Sequence, residues 1–151
     1  MMVPCLLRLL FLPSMSRIMA VDYGTKRVGL AVTDSLQIIA TGLTTVKATE
    51  AFNFIKNYCE TEDVESLVIG EPKTLDNRPA ELEKQIGEFV NRIKKWAPNL
   101  PVHRVDERFT SSMALQSLID GGVKKKQRRQ KELLDEVSAT IILQSYLESK
   151  K

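Results

Sequence analysis

Ile18 to Asp22 (IMAVD) and Arg27 to Asp34 (RVGLAVTD) are two apolar runs separated only by Tyr23-Gly24-Thr25-Lys26. A crossover between parallel strands needs a dozen or more residues, so this short glycine-containing turn predicts an antiparallel hairpin. Gln37 to Val46 supplies a third strand. The period then changes. Phe52, Ile55 and Cys59 recur at helical spacing across Thr49 to Glu62, and Ser66 to Gly70 (SLVIG) is a short continuous apolar run, as in a buried parallel strand.

After a polar loop over Glu71 to Arg78, Pro79 to Trp96 carries Leu82, Ile86, Phe89, Ile93 and Trp96 on one helical stripe. Pro101 to Asp106 (PVHRVD) reads as a strand. Thr110 and Ser111 are N-cap types for a helix to Asp120, which Gly121-Gly122 end. Val123 to Lys131 is a basic linker, and Glu132 to Glu148 forms a last helix. A three-strand antiparallel start feeding β-α units specifies an α/β protein, a mixed sheet with helices on its faces.

The length of 151 residues suits one domain, expected over residues 15–150. Met1 to Ser14 (MMVPCLLRLLFLPS) differs from the rest. Arg8 splits its apolar part, no basic residue precedes it, and it falls short of the ~20 apolar residues of a membrane span. It is expected to be a disordered extension or to precede the true start, with a membrane-surface or partner anchor as the second reading. The body is expected to be cytoplasmic, with no membrane association. Cys5 and Cys59 lack CxxC spacing and His103 is the only histidine, so a metal here would be a hard cation on carboxylates.

Three acids stand at the ends of apolar segments: Asp22 after the first strand, Glu107 after the Val102-to-Asp106 strand, and Asp135 in the first turns of the last helix. Converging at one end of a sheet, they would hold Mg²⁺ for phosphodiester cleavage. Ser138 and Ala139, a turn beyond Asp135, would let that helix approach the sheet. Taken singly, each acid has a stronger local explanation, Asp22 as a turn former and Asp135 as a complement to the helix dipole. Asp34, Asp106 and Asp120 have the same local explanations.

Asp22-Tyr-Gly-Thr-Lys-Arg-Val-Gly-Leu-Ala, Val-Ile-Gly-Glu-Pro at 68–72, Asp-Glu-Arg-Phe-Thr-Ser at 106–111 and Leu-Asp-Glu-Val-Ser-Ala-Thr-Ile-Ile-Leu-Gln-Ser-Tyr-Leu at 134–147 resemble, in that order, the YqgF family. These are pre-16S rRNA nucleases, also described as Holliday-junction-resolvase-like. The resemblance spans residues 16–148 and implies a ribonuclease-H-like fold, trimming of the 5′ end of precursor 16S rRNA during ribosome biogenesis, and Asp22, Glu107 and Asp135 as the catalytic, metal-holding acids (Mg²⁺ or Mn²⁺). The chain departs from the family pattern at Glu71, where an apolar residue is usual, and at Asp76-Asn77-Arg78, where a glycine is common.

Overall, 22 Lys and Arg stand against 19 Asp and Glu, but Lys124, Lys125, Lys126, Arg128, Arg129 and Lys131 crowd into residues 121–131. Without that arm the remainder is acidic. A basic run beside carboxylates suits the phosphate backbone of a nucleic acid, precursor rRNA first and branched DNA second; a solvated linker is the alternative. Lys26, Arg27 and Arg108 flank the acids and suit a scissile phosphate, or equally surface ion pairs. Tyr23 suits a stacked base or strand-end packing, while Trp96, Phe89 and His103 read as structural.

A metal-dependent nuclease is thus the leading expectation. A junction resolvase and a non-catalytic nucleic-acid-binding or ribosome-assembly factor are the alternatives. Asp22-x-Gly-Thr also resembles the phosphate loop of actin-like ATPases and sugar kinases, but 151 residues leave no room for their second domain.

Overall fold

The computed structural model describes residues 16–71, 80–106, 116, 120–122 and 131–150. The elements are β1 (Arg17–Tyr23), β2 (Arg27–Thr33), β3 (Ala40–Lys47), a 3-10 turn (Ala48–Glu50), α1 (Ala51–Thr61), β4 (Val64–Glu71), α2 (Ala80–Trp96), β5 (Val102–Asp106) and α3 (Lys131–Ser149). They form one sheet in the order β3-β2-β1-β4-β5. The pairs β1–β2 and β2–β3 are antiparallel, whereas β1–β4 and β4–β5 are parallel. The expected hairpin and the expected mixed sheet are both present.

Alternation along the strands divides the core into two layers. Met19 and Val21, with Val28, Leu30, Leu67 and Ile69, face α1 and α2, where Ile55, Ile86, Phe89 and Ile93 complete a buried cluster. Ile18, Ala20, Ala31 and Val68 face the other way, onto Ala139, Ile142 and Leu143 of α3. Ser138 and Ala139 are buried at that contact, so the small residues do bring α3 close to the sheet.

β3 begins at Ala40 rather than Gln37, because Asp34 captures the segment between the strands. Its carboxylate accepts the N–H groups of Leu36, Ile38 and Ile39 at 3.1, 2.8 and 2.8 Å. Gln37 adopts a left-handed φ of 58°, and its side-chain amide donates to the Ser16 carbonyl at 3.0 Å. Asp34 is therefore a loop former. At the other end of the chain, Gln116 and Asp120 are helical, and Gly122, at φ 76°, turns the chain just beyond. The remainder of the helix expected from Thr110 to Asp120, the basic segment 123–130 and residues 1–15 lie outside the described residues.

Candidate active site

β1, β4 and β5 are parallel, so their C-terminal ends share one edge of the sheet. Asp22 lies near that end of β1. Glu71 and Asp106 pair in register at the ends of β4 and β5. By the alternation of β1, Asp22 projects to the side of Ile18 and Ala20, toward α3. Directly across the hairpin it pairs with Gly29. A Cβ on Gly29 would overlap the backbone carbonyl of Asp135, so glycine is what lets the helix rest on the strand here. The Asp22–Gly29 pair and the Gly29–Asp135 contact bring the two acids to the same corner.

The turn between β1 and β2 closes this corner. The Gly24 N–H donates to the Arg27 carbonyl at 3.0 Å. A Cβ on Gly24 would stand 2.7 Å from that oxygen, so the tight turn requires glycine. The Lys26 carbonyl accepts from the Ala48 N–H at 2.9 Å, tying the turn to the approach to α1. Arg27 donates through Nε to Asp135 Oδ2 at 2.9 Å. The Thr45 hydroxyl donates to the Glu132 carbonyl at 2.6 Å and fixes the start of α3 over β3. Next to Asp135, Glu136 packs over Gly42, and burial raises its carboxyl pKa. The resulting cleft, about 300 Å³, is lined by Gly24, Thr25, Lys26, Arg27 and Asp135.

Two of the three expected acids, Asp22 and Asp135, are therefore brought to one corner by the backbone, and of these Asp135 lines the cleft with Lys26 and Arg27. Glu107 directly follows Asp106 in the chain but lies outside the described residues, as do Arg108, Lys124, Lys125, Lys126, Arg128 and Arg129. Among the described residues, no group of three His, Cys, Asp or Glu side chains gathers as a metal site. The donors present are carboxylate oxygens, which suit Mg²⁺ or Mn²⁺ rather than a soft metal. The chemistry of these donors, carboxylates set near one another across Gly29, fits such an ion. Sequence reasoning missed Gly29. It reads there as one residue of an apolar strand, and the only available signal was a glycine seven residues after an acid, on the facing strand of a hairpin.

The remaining candidates are engaged in packing. Tyr23 packs on Phe89 with ring centroids 4.9 Å apart. His103 is exposed and stacks on Tyr146 at 5.2 Å. Cys59 is partly buried, and that burial pushes its thiol up to about 11. No described helix is long and apolar enough to cross a membrane.

A sheet in this order, flanked by helices, with Asp22 near the end of its central strand and Asp135 of α3 resting on the neighbouring strand, defines a ribonuclease-H-like α/β protein. The same fold occurs in T. thermophilus RuvC solved in complex with a Holliday junction substrate. The TM-score is 0.57 at 17% sequence identity, covering 89% of this chain and 95% of that one. More particularly, the chain belongs to the RuvX family, described as Holliday junction resolvase, whose profile matches residues 16–149. This bears out the resemblance to the YqgF family.

Relatives cover nearly their whole length with this chain. A Phocaeicola vulgatus protein named "Putative pre-16S rRNA nuclease" is 58% identical over 137 residues, 91% of this chain and 99% of its own. A Christiangramia forsetii protein of the same name is 56% identical over 133 residues, 88% of this chain and 98% of its own.

Proposed function

We propose that this chain is a metal-dependent nuclease that hydrolyses phosphodiester bonds at the Asp22–Asp135 corner, acting on the 5′ end of precursor 16S rRNA. The observation that carries the reading is the meeting of Asp22 and Asp135 across Gly29, at the edge where β1, β4 and β5 all end. Two carboxylates with two basic side chains nearby would suit a divalent ion and a phosphate group, which a purely structural corner does not need. The names of the nearly full-length relatives support precursor rRNA as the substrate.

Asp22 and Asp135 would hold Mg²⁺ or Mn²⁺, and Glu107 would ligate it or orient the attacking water. A bound divalent ion supplies Lewis-acid polarisation of the phosphate and a water of lowered pKa. Lys26 and Arg27 offset phosphate charge at the rim and orient the scissile group. Arg108 and the Lys124–Arg129 arm bind the flanking backbone. Asp22→Asn and Asp135→Asn remove charge at nearly constant side-chain volume, so both variants are expected to keep the fold largely intact.

The test is side-by-side cleavage of a precursor 16S rRNA fragment and a four-way DNA junction with Mg²⁺ or Mn²⁺, using both variants as controls. Cleavage of the rRNA fragment by the wild type, lost in both variants, is expected. Cleavage restricted to the junction would assign the resolvase reading, which the family description favours. Undiminished cleavage by both variants would sink the mechanism, and binding without turnover under any divalent cation would assign an assembly factor.

A further inference from the structure

On the opposite face of the sheet from Asp22 lies a second cavity of about 360 Å³. Its walls come from three places: Tyr23 at the end of β1 with Thr25 of the turn, Thr49 of the 3-10 turn with Phe52 of α1, and the Gln85, Glu88, Phe89, Arg92 stripe of α2. The volume lies within the ~300–1,000 Å³ range of small-ligand pockets. Its character is aromatic with polar edges. Phe52 rests its ring against Trp96, with centroids 5.9 Å apart and planes at 80°. The Arg92 guanidinium, exposed, lies 4.0 Å over the centre of the Phe52 ring. Tyr23 is half-buried against Phe89, and its hydroxyl pKa is raised by that burial and then by the charge of Glu88.

Position distinguishes this cavity from an ordinary surface hollow. Tyr23 follows Asp22 in β1, so their side chains leave opposite faces of the same strand end. Thr25 lines both this cavity and the cleft of Asp135 and Arg27. One short turn therefore separates the carboxylate corner from an aromatic and guanidinium surface.

We infer that the cavity holds an unpaired nucleobase of the strand being cut. With the scissile phosphate at the Asp22–Asp135 corner, the neighbouring nucleotide crosses the β1–β2 turn. Its base enters beside Tyr23 and stacks on the Arg92–Phe52 pair. Unpaired bases are held on aromatic rings and guanidinium planes in this way, and such stacking tolerates any sequence. Gln85 and Glu88 offer a donor and acceptors to the base edge. The inference rests on the nuclease reading for its placement, and it makes the substrate single-stranded next to the cut.

The test measures binding by the full chain without divalent cations, to a fluorescein-labelled single-stranded RNA hexamer and to a blunt duplex of the same composition. Arg92→Ala and Phe52→Leu, the latter keeping apolar volume at the site, are compared with the wild type after thermal unfolding has verified their fold. Each variant is expected to weaken single-strand binding about tenfold, the size of one lost stacking contact, and to leave duplex binding unchanged. Wild-type affinity for the hexamer in both variants overturns the inference, and so does equal weakening toward duplex and single strand. A wild type that shows Arg92-dependent binding yet cleaves nothing when Mg²⁺ is added sinks the nuclease reading and leaves the pocket standing.

Discussion

Arg27 Nε donates to Asp135 Oδ2 at 2.9 Å across 108 positions of sequence, joining the start of β2 to the first turns of α3. The two side chains are 30% and 26% exposed, so the pair is sheltered more than an ordinary surface bridge. It fixes the Asp135 carboxylate at the corner and holds a guanidinium directly beside it.

Removing that cation without removing the acid separates the two effects. Arg27→Gln is expected to lower stability by about 1 kcal/mol, at the upper end for exposed pairs. It is also expected to tighten Mn²⁺ binding, because a like charge leaves the site. Urea unfolding reads the first effect and paramagnetic titration of Mn²⁺ the second. An unchanged Mn²⁺ affinity would show that Arg27 stands outside the metal-binding corner.

Two glycines make a matched pair of tests. At Gly29 an added Cβ would overlap the Asp135 carbonyl, and backbone cannot yield as a flexible side chain can. Gly29→Ala should cost about 3 kcal/mol, the upper end of overpacking penalties, and should abolish cleavage as α3 is displaced. Around Gly87 of α2 an added Cβ meets nothing within 4 Å. Gly87→Ala should therefore stabilise the fold by roughly 0.5–1 kcal/mol, the ordinary gain of alanine over glycine within a helix. Equal stabilities for the two variants would refute the close approach of α3 at Gly29.

Asp34 gives the pH dependence. The N–H of Ile39, with those of Ile38 and Leu36, holds its carboxyl below the usual aspartate value, against a smaller desolvation effect. A carboxyl whose pKa is lower folded than unfolded adds stability above the unfolded value and loses it as pH falls through the folded one. Stability of the wild type should therefore decline below about pH 4, and Asp34→Ala should flatten that decline. Chemical denaturation between pH 2 and pH 6 measures it. Identical slopes for the two proteins would remove Asp34 from the acid response.

Local chemistry made much of the architecture legible. The glycine turn at Tyr23–Lys26 and the two apolar runs beside it specified the hairpin, and the run SLVIG specified a buried parallel strand. The stripe from Leu82 to Ile93 specified α2, and all of these are present. The true start of β3 was not legible from periodicity, because Ile38 and Ile39 extend the apolar run ahead of Ala40. The Asp34 carboxylate instead takes the N–H groups of Ile38 and Ile39, and Gln37 turns left-handed.

By itself, then, the sequence determined the elements, their order, and which face of β1 each residue takes, because these follow from side-chain period and turn chemistry within a few residues. It also nominated Asp22 and Asp135, while leaving each a local explanation as turn former or dipole partner. Only the tertiary structure decided that the two share a corner, that Gly29 is the contact allowing it, and that Arg27 is the partner of Asp135. These relations depend on how closely a helix packs on a strand more than 100 positions away. Nothing in the local pattern of either segment encodes that distance.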